Sequence, residues 1–358
     1  MRFLVSAGGS GGHIYPAIAL IEIIKKDSTN EIIFVGQKKG LEYDLIKPLK
    51  VDYWAIESYF FDKQDLARTF KLIKSFIKNY FLLKKKLKQF KPDVVIGFGG
   101  HVTLPVIYTA SKMKIKTYIH EQNQIMGRAN QFLSKYVNMV FSSYPKLETK
   151  NIKMIYTGNP IIEKALNTKP ANVKEYGLNE KKKLVLILMG SQGAAVVNRY
   201  LIENLNNFAI DFFQIIYITG TRNYKAEYKT KFKEGIKVVP YIDNVAKLMM
   251  KADLIVSRAG ASTISEIMAL KKPSILIPSP YVPNNHQYHN AKFLFEKNAA
   301  CYLDEKDIVN LKKIVEKLMG NENEMKKMVA NLSGLTIDNS ATLLYNYLKQ
   351  SGERNDRI

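Results

Sequence analysis

The stretch that decides the fold lies at the start of the chain and reads Arg2-Phe-Leu-Val-Ser-Ala-Gly-Gly-Ser-Gly-Gly-His13. Its apolar half predicts a β-strand, and its glycines predict a tight turn into a helix that begins near Ile14. At the carboxyl end of a parallel strand, glycines let the backbone approach a ligand, and the next helix offers unpaired N–H groups to an anion. The stretch therefore predicts a nucleotide-type α/β fold with an anion site in its first turn.

Three similar turns recur between a predicted strand and a predicted helix. They read Gly97-Phe-Gly-Gly-His101, Gly190-Ser-Gln-Gly-Ala194 and Arg258-Ala-Gly-Ala-Ser-Thr263. One such turn is weak evidence, because tight turns use glycine anyway. Four of them, split between two halves of the chain, predict two sheets whose carboxyl edges face one shared cleft.

Short apolar runs alternate with helical patterns along most of the chain. The strand-like runs are 2–7, 31–36, 94–98, 117–120, 137–141, 184–189, 213–219, 238–239, 254–256 and 274–277, and helical stretches such as 14–25, 194–208 and 263–270 lie between them. This alternation is typical of parallel sheets covered by helices on both faces. The lysine-rich stretch from Pro160 to Lys183 interrupts it and is interpreted as a linker. We therefore expect two Rossmann-like, doubly wound α/β domains, residues 1–162 and 163–336, with a C-terminal helix in 337–358 that packs back on the first.

The composition narrows the class of protein. A single cysteine, Cys301, excludes a disulfide framework and favours a reducing cytoplasm. The longest apolar run, residues 184–189, is far shorter than a membrane-spanning helix, so we expect a soluble or peripheral protein. The net charge of +22 admits nucleic acid, anionic lipid or phosphorylated substrates as partners. Nucleic acid is disfavoured because interleaved aromatic and basic recognition elements are lacking.

A dinucleotide-binding dehydrogenase is also disfavoured. Such an enzyme would place an acidic residue at the end of its second strand to hold a ribose. Here that strand ends Val35-Gly36-Gln37, without a carboxylate. Glu266, after the fourth glycine turn, leaves two interpretations open. It is either a helix-start carboxylate favoured by the helix dipole or an acceptor for ribose hydroxyls.

An ordered set of motifs identifies a family. The motifs are Gly8-Gly-Ser-Gly-Gly-His13 with Pro16-Ala17, Gly97-Phe-Gly-Gly100, His120-Glu-Gln-Asn123, Gly158-Asn-Pro160, Gly190-Ser-Gln-Gly-Ala194 with Asn198, Ser257-Arg-Ala-Gly-Ala261 with Ser265-Glu-Ile267, and His286-Gln287 with Asn290-Ala291. With these residues the chain resembles the MurG family, bacterial transferases that add N-acetylglucosamine to lipid I to make lipid II for peptidoglycan. The resemblance implies the GT-B fold, in which two Rossmann-like domains face a central cleft.

The resemblance also implies substrates and the residues that hold them. The donor would be UDP-N-acetylglucosamine and the acceptor lipid I, undecaprenyl-pyrophosphoryl-MurNAc-pentapeptide, which receives the sugar on its C4 hydroxyl with inversion. Glu266 would hold the ribose, the backbone of Ile242 would meet the uracil, and Gln287 with His286 would face the sugar hydroxyls. The diphosphate and ribose would contact Ser191, Ala261, Ser262, Thr263, Ile264 and Ser265, and the first domain would contribute Ser10, Gly11, Gly12 and Asn123.

Glycosyl transfer needs a base, a stabilised oxocarbenium-like centre and neutralisation of the departing diphosphate. His13 is the candidate base because its side chain has a suitable pKa; the alternative is a helix-cap histidine that binds substrate without taking a proton. His13 and Glu266 are therefore the candidate catalytic residues. No metal or other cofactor is expected, since the five histidines lack ligand spacing with Cys or paired carboxylates.

Residues 66–88 form a helical pattern whose apolar residues spread over roughly half of the circumference, opposite a row of lysines. One interpretation is a well-buried helix with a solvated lysine face. The other is a surface that meets lipid while its lysines bind anionic headgroups, which predicts peripheral attachment to the cytoplasmic side of the cell membrane. The predicted membrane-facing residues are Leu72, Ile73, Phe76, Ile77, Tyr80, Lys74 and Lys78.

Two other enzymes share the predicted fold. One is another GT-B transferase, such as one that glycosylates diacylglycerol; the segments His120–Asn123 and Gly190–Ala194 favour the peptidoglycan enzyme over it. The other is a UDP-sugar epimerase, which would release a free sugar or isomer without any lipid.

Overall fold

The structure is a computed structural model that describes residues 1–59, 66–147, 152–190 and 193–353, without the side chains of 66–68. The strands are β1 (Arg2–Ser6), β2 (Glu31–Gln37), β3 (Asp52–Ile56), β4 (Val94–Gly97), β5 (Lys116–Glu121), β6 (Met139–Ser142), β7 (Met154–Tyr156), β8 (Lys183–Leu188), β9 (Phe213–Ile218), β10 (Ile236–Val239), β11 (Leu254–Ser257), β12 (Ser274–Leu276) and β13 (Cys301–Tyr302). The helices are α1 (Gly11–Ile24), α2 (Leu41–Ile46), α3 (Leu66–Phe90), α4 (Thr103–Lys112), α5 (Arg128–Leu133), α6 (Ile161–Leu166), α7 (Ala195–Asn204), α8 (Val245–Lys251), α9 (Ala261–Ala269), α10 (His286–Phe295), α11 (Leu311–Gly320), α12 (Glu322–Leu332) and α13 (Ser340–Glu353). The chain forms two compact units, Met1–Glu163 with Ile337–Ile358, and Lys164–Thr336.

The first unit is built on a seven-stranded parallel sheet in the order β3-β2-β1-β4-β5-β6-β7. The central strands are buried on both faces, which explains why β1 and β4 read as continuous apolar runs rather than as alternating patterns. Helix α13 packs on α1 in this unit. Its Leu344 and Leu348 are fully buried in the same cluster as Phe3.

The second unit is built on a six-stranded parallel sheet in the order β10-β9-β8-β11-β12-β13. Side chains on alternate positions of β8 enter two separate clusters: Val185 and Ile187 lie in one, and Leu184 and Leu186 lie in the other. Each face of the sheet therefore has its own apolar core. The prediction of two doubly wound parallel α/β sheets is confirmed.

The strand order places the four glycine turns. In each sheet the order reverses beside a central strand, β1 in the first unit and β8 in the second. At such a switch point the loops on either side diverge, and the carboxyl ends of the two central strands leave a crevice between them. The turns that begin at Gly8 and Gly97 follow β1 and β4, and those that begin at Gly190 and Arg258 follow β8 and β11. All four turns thus lie at the switch point of their own sheet.

The structure contains elements that the pattern did not predict. Strands β3, β7 and β13 were missed, and all three lie at sheet edges. Strands β7 and β13 are only three and two residues long, and β3 begins with the polar Asp52 and fully buries only Ile56. The predicted linker between Pro160 and Lys183 contains helix α6 and a short 3₁₀ turn, Val173–Tyr176. Val173 and Leu178 of this stretch are buried in the core of the second unit, so it is more ordered than a simple connector.

Candidate active site

The glycine turns after β1 and β4 are packed directly on each other. A Cβ added to Gly100 would lie 2.2 Å from the carbonyl oxygen of Gly8, and Gly100 has φ +86°. Only glycine fits a position that is both this crowded and in the left-handed region. Ser10 ends the first turn, and its carbonyl accepts from the N–H groups of His13 (3.1 Å) and Ile14 (3.2 Å).

The N–H groups of Gly11 and Gly12 are left without an acceptor in the described part of the chain. They open helix α1, where the helix dipole adds partial positive charge. Ser10, the N-cap residue, makes no side-chain cap bond, so its hydroxyl is not used by the helix. This turn can hold an anionic or hydroxyl-bearing group.

His13 lies in the first turn of α1 with a half-buried imidazole. Its Nδ1 is 3.1 Å from Oε1 of Gln122, and its Nε2 makes no hydrogen bond to any described residue. The backbone of Gly99 packs against the Cε1–Nδ1 side of the ring. One ring nitrogen is therefore held by the protein, and the other is available to a substrate.

Gln122 connects His13 to a buried histidine. Its Nε2 is 3.0 Å from the carbonyl oxygen of His120 and 3.2 Å from Nδ1 of the same residue. On its other side, Nε2 of His120 lies 2.9 Å from the carbonyl oxygen of Gly158. His120 is fully buried, and this burial lowers the pKa of its imidazole to about 4, although the bond to Gly158 opposes the shift.

Glu121 shapes the loop that carries Asn123. This carboxylate is 1% exposed and accepts hydrogen bonds on both oxygens. Oε1 accepts from the backbone N (3.0 Å) and side-chain Nδ2 (3.1 Å) of Asn123, and Oε2 accepts from Gly127 N (3.0 Å) and Asn130 Nδ2 (2.8 Å). Four donors on one buried carboxylate fix the loop after β5 beside the His120–Gln122 pair.

In the second unit, the turn after β11 opens helix α9 with free amides. The N–H of Ile264 donates to Gly260 O (2.9 Å), which leaves the N–H groups of Ala261, Ser262 and Thr263 without an acceptor among the described residues. The hydroxyl of Ser262 is buried and also lacks a partner there. These groups converge on the helix N-terminus, where an anion is favoured.

Two residues of α9 that were predicted to contact the donor, Ile264 and Ser265, make their hydrogen bonds within the protein. The side chain of Ile264 is fully buried in the apolar core, and its amide is already bonded to Gly260. Ser265 is 1% exposed and donates its hydroxyl to the carbonyl of Ala261 at 2.8 Å. Ala261, Ser262 and Thr263 are thus the members of this turn that keep donors for a ligand.

Glu266 lies one turn further along α9 and is half-buried. Its carboxylate makes no hydrogen bond or ion pair with another described residue, and desolvation raises the pKa of the carboxyl to about 7. A desolvated carboxylate without a partner is costly, so it gains strongly from hydroxyl donors that a ligand brings.

The turn after β8 needs both of its glycines for their backbone conformation, and Gly193 for space as well. Gly190 and Gly193 have φ +78° and +74°, and a Cβ on Gly193 would lie 2.6 Å from the carbonyl oxygen of Thr219. Ser191, predicted to contact the diphosphate, lies outside the described residues.

Helix α10 presents Gln287 from a fixed position. Its Oε1 accepts from the backbone N of Ser279 at 2.8 Å, which leaves the two N–H groups of its amide without a described partner. Asn290 of the same helix donates to the carbonyl of Ala259 at 3.1 Å and so joins α10 to the turn before α9. His286 Nδ1 donates to Pro283 O at 2.8 Å.

Ile242 lies in the loop after β10, half-buried against the core, and no described residue bonds its backbone groups.

The apolar arc of helix α3 divides into a part covered by the protein and an adjoining part that is exposed. Leu72, Phe76 and Tyr80 are half-buried on the side that packs against α4, where the rings of Phe76 and Tyr108 lie 5.5 Å apart. The adjoining part exposes a stripe at Phe70, Ile73, Ile77 and Phe81, with exposed fractions of 69%, 54%, 53% and 65%. Lys74 and Lys78 are exposed beside this stripe. Of the predicted membrane-facing residues, Ile73, Ile77, Lys74 and Lys78 therefore lie on the exposed side, and Leu72, Phe76 and Tyr80 face the protein.

Two further observations bear on metals and membranes. Within the described ranges, no three His, Cys, Asp or Glu side chains come together as a metal site would require. None of the helices in those ranges is both long and apolar enough to cross a bilayer.

Sequence reasoning missed the roles of four residues. Glu121 and Asn290 hold loops in place, and His120 and Gln122 form the chain of contacts to His13. All four residues lie inside the motifs His120–Asn123 and Asn290-Ala291, so each belonged to a motif recognised in the sequence. Their roles could not be read from sequence, because each depends on a partner that is distant along the chain.

Comparison with known proteins covers both units. Residues 3–142 match the N-terminal domain of glycosyltransferase family 28, and residues 184–342 match its C-terminal domain. The chain is 39% identical over 360 residues to the UDP-N-acetylglucosamine--N-acetylmuramyl-(pentapeptide) pyrophosphoryl-undecaprenol N-acetylglucosamine transferase of Bacillus pumilus (strain SAFR-032), covering 98% of this chain and 99% of that protein. The transferase of the same name from Bacillus subtilis (strain 168) is 38% identical over 360 residues, with 98% and 99% covered. The crystal structure of MurG from Acinetobacter baumannii matches with a TM-score of 0.78 at 25% identity, covering 98% of this chain and 99% of that one.

Proposed function

The chain belongs to the MurG transferases of glycosyltransferase family 28, and on that premise we propose that it transfers N-acetylglucosamine from UDP-N-acetylglucosamine to lipid I, giving lipid II. The observation that carries this proposal is the similarity, over nearly the whole chain, to enzymes that bear the name of this reaction. The acceptor group is the C4 hydroxyl of the muramoyl sugar, and the anomeric carbon is inverted in a single displacement.

His13 is the base that takes the proton of the acceptor hydroxyl. Its Nε2 has no partner among the described residues, while its Nδ1 is held by Gln122, so the ring is oriented and still has one nitrogen to offer. A positioned base of this kind contributes about 100-fold or more to the rate. The neighbouring amides of Gly11 and Gly12, with the hydroxyl of Ser10, hold polar groups of the acceptor. Asn123, fixed by Glu121, completes this side of the site.

The second unit holds the donor. The amides of Ala261, Ser262 and Thr263 and the hydroxyl of Ser262 bind the diphosphate and take up the charge that develops on it as the glycosidic bond breaks. Ser191, after β8, is proposed to contribute to the same binding. Because these donors are fixed before reaction, no reorganisation is needed when the leaving group departs.

The remaining donor contacts recognise the nucleoside and the sugar. Glu266 accepts from the ribose hydroxyls, which relieves its desolvated carboxylate. The backbone of Ile242 meets the uracil, and the free amide N–H groups of Gln287, with His286, face the sugar hydroxyls.

We propose that the enzyme attaches peripherally to the cytoplasmic side of an anionic membrane through α3. The exposed stripe Phe70, Ile73, Ile77 and Phe81 lies beside Lys74 and Lys78, which combines apolar area with positive charge. Such a surface binds a bilayer by shallow insertion together with attraction to anionic headgroups. A lipid-linked acceptor would then be reached without leaving the membrane.

One assay tests the reaction. The enzyme is incubated with UDP-N-acetylglucosamine labelled in the sugar and with lipid I, and the label in the lipid phase is measured. We expect lipid-phase label that depends on lipid I, is not supported by diacylglycerol and is lost in the His13→Ala variant. Label transferred to diacylglycerol would assign the enzyme to another GT-B class, and free sugar or isomer formed without lipid would identify an epimerase. If His13→Ala turned over at the wild-type rate with saturating substrates, His13 would not be the base.

A further inference from the structure

The hydrogen bonds around His13 specify which of its nitrogens carries a proton. The first acceptor in this set of bonds is the carbonyl oxygen of Gly158, which cannot donate. The Nε2 of His120 lies 2.9 Å from it and must therefore carry the hydrogen. Gly158 has φ +74°, and a Cβ there would lie 3.1 Å from Cβ of Ser340. The hydroxyl of Ser340 donates to the carbonyl of the next residue, Asn159, at 2.6 Å. The acceptor that starts the chain of bonds is therefore held by the fold.

Neutral His120 then offers a lone pair at Nδ1. Burial lowers the pKa of this imidazole to about 4, so the ring stays neutral in ordinary buffers. The amide nitrogen of Gln122 lies 3.2 Å from Nδ1 and 3.0 Å from the carbonyl oxygen of His120. Each of its two hydrogens thus has an acceptor on His120. The reversed amide would place its oxygen against both a lone pair and a carbonyl, which is repulsive.

This orientation turns Oε1 of Gln122 toward His13. An amide oxygen only accepts, so the Nδ1 of His13 at 3.1 Å must donate. In the neutral ring the hydrogen is then on Nδ1 and the lone pair on Nε2, the nitrogen without a described partner.

We propose that Gln122, oriented by His120, is a positioning residue that holds His13 as the Nδ1–H tautomer and keeps Nε2 ready to accept the proton of the acceptor hydroxyl. The proposal rests on the proposed function, in which His13 is the base. In many histidine bases a carboxylate fixes the tautomer. Here a neutral amide does so, and it receives its own orientation from a second histidine that never contacts substrate.

The test measures the tautomer directly. Enzyme labelled with ¹⁵N-histidine is studied by long-range ¹H–¹⁵N NMR at pH 8, and the His13 signals are identified by their loss in His13→Ala. We expect a pyrrole-type shift for Nδ1 and a pyridine-type shift for Nε2. In Gln122→Met, which keeps the size of the side chain but removes the acceptor, the ring should shift toward the Nε2–H form. The kcat should fall about tenfold or more, with the KM for UDP-N-acetylglucosamine within about twofold of wild type.

Gln124→Met is the matched control. Gln124 lies in the same loop and donates to Lys146 O at 3.0 Å, whereas the His13 ring is bonded to Gln122, so replacement of Gln124 should leave the His13 shifts unchanged. The signals of His101, His286 and His289, which do not contact Gln122, report whether each variant is folded. A wild-type spectrum with the hydrogen on Nε2, or a Gln122→Met spectrum that keeps it on Nδ1, would overturn the proposal. Because these spectra do not depend on turnover, they separate a failed tautomer assignment from a failed assignment of His13 as base.

Discussion

Gly99 lies against the imidazole of His13: a methyl group on Gly99 would come within 3.0 Å of both Cε1 and Nδ1 of that ring. Gly99 has φ +98°, so the contact is made by backbone in a conformation that other residues rarely adopt. The glycine turn after β4 thus forms one wall around His13, the proposed base in α1.

Gly99→Ala should displace His13. The added methyl needs the space of Cε1 and Nδ1, so the bond from Nδ1 to Gln122 should break. We expect kcat to fall about tenfold or more, with a smaller effect on the KM for the donor, which the other unit is proposed to bind. Gly177→Ala is the control, because Gly177 has φ +73° and no atom within 4 Å of an added Cβ. It carries the backbone strain alone, so equal loss of kcat in both variants would rule out displacement of His13 as the cause.

Glu266 should make donor binding depend on pH. In the proposed site the ribose hydroxyls donate to the ionised carboxylate, and desolvation raises the pKa of this group to about 7. The Kd of UDP-N-acetylglucosamine, measured by calorimetry, should therefore decrease as the pH rises from about 6 to 8. In Glu266→Gln binding should be about tenfold weaker or more and nearly independent of pH, whereas Glu203→Gln, on the exposed side of α7, should behave as wild type. A wild-type Kd that is flat over this range would exclude ribose binding by the ionised form.

The same carboxyl should affect stability in the opposite direction. Its pKa is raised in the folded state above the ordinary value of 4.5, so the folded state binds the proton more tightly than the unfolded state. The free energy of unfolding of the second unit should fall as the pH rises from 4.5 through 7 and level off above that. Glu266→Gln should reduce this slope, as hydrogen exchange in β11 and α9 would show. An unchanged slope would mean that another group causes it.

The exposed stripe of α3 should control membrane binding. Replacing Phe70 and Ile77 by serine should strongly reduce cosedimentation with anionic phosphatidylglycerol vesicles, because both side chains are more than half exposed. Lys74→Gln with Lys78→Gln should weaken binding by about 1 kcal/mol per lysine, and high salt should release the wild type. Phe212→Ser is the control, since Phe212 is 78% exposed in the other unit. Vesicle binding that does not depend on salt concentration, or no binding to these vesicles, would contradict the proposal that α3 attaches the enzyme to an anionic membrane.

Arg258 and Glu305 should stabilise the turn that precedes α9. Their side chains are 11% and 7% exposed and form an ion pair, and Arg258 also donates to Ile277 O at 3.0 Å. Glu305→Gln leaves a buried guanidinium without its counter-charge, so the second unit should lose about 3 kcal/mol of stability. Glu322→Gln breaks an ion pair whose partners are 70% and 65% exposed and should cost less than about 1 kcal/mol. Hydrogen exchange in β11 measures the loss of stability in both variants. Similar values for the two would show that burial of the ion pair does not increase its contribution to stability.

Activity should survive removal of divalent metal. The diphosphate is proposed to be neutralised by the amides that open α9 and by the Ser262 hydroxyl, which are part of the chain. Initial rates with and without EDTA should agree within about twofold. Complete loss of activity with EDTA, and recovery on adding Mg²⁺, would show that these donors need a metal ion beside them.

The fold could be predicted in its main features because its signals are local. In the sequence, a buried parallel strand is a short apolar run. Where such a strand leads into a ligand-binding turn, glycines follow it within a few residues. The runs at β1, β4, β8 and β11, each with its glycine turn, carry that signal. Edge strands carry a weaker signal, because one of their sides is not covered by a neighbouring strand. Strand β3 accordingly buries only one of its five residues fully, and β13 is only two residues long.

By itself the sequence determined the α/β class, the two halves, the glycine turns and the family, since each of these features depends on residues that are neighbours along the chain. The tertiary structure alone decided the burial of His120, the orientation of Gln122 and the absence of a described partner for Glu266. It also decided which apolar face of α3 is covered by α4 and which is exposed. The physical reason is the same in each case. Desolvation and hydrogen-bond direction depend on groups that approach from distant parts of the chain, such as Gly158 toward His120, and periodicity along one segment carries no information about them.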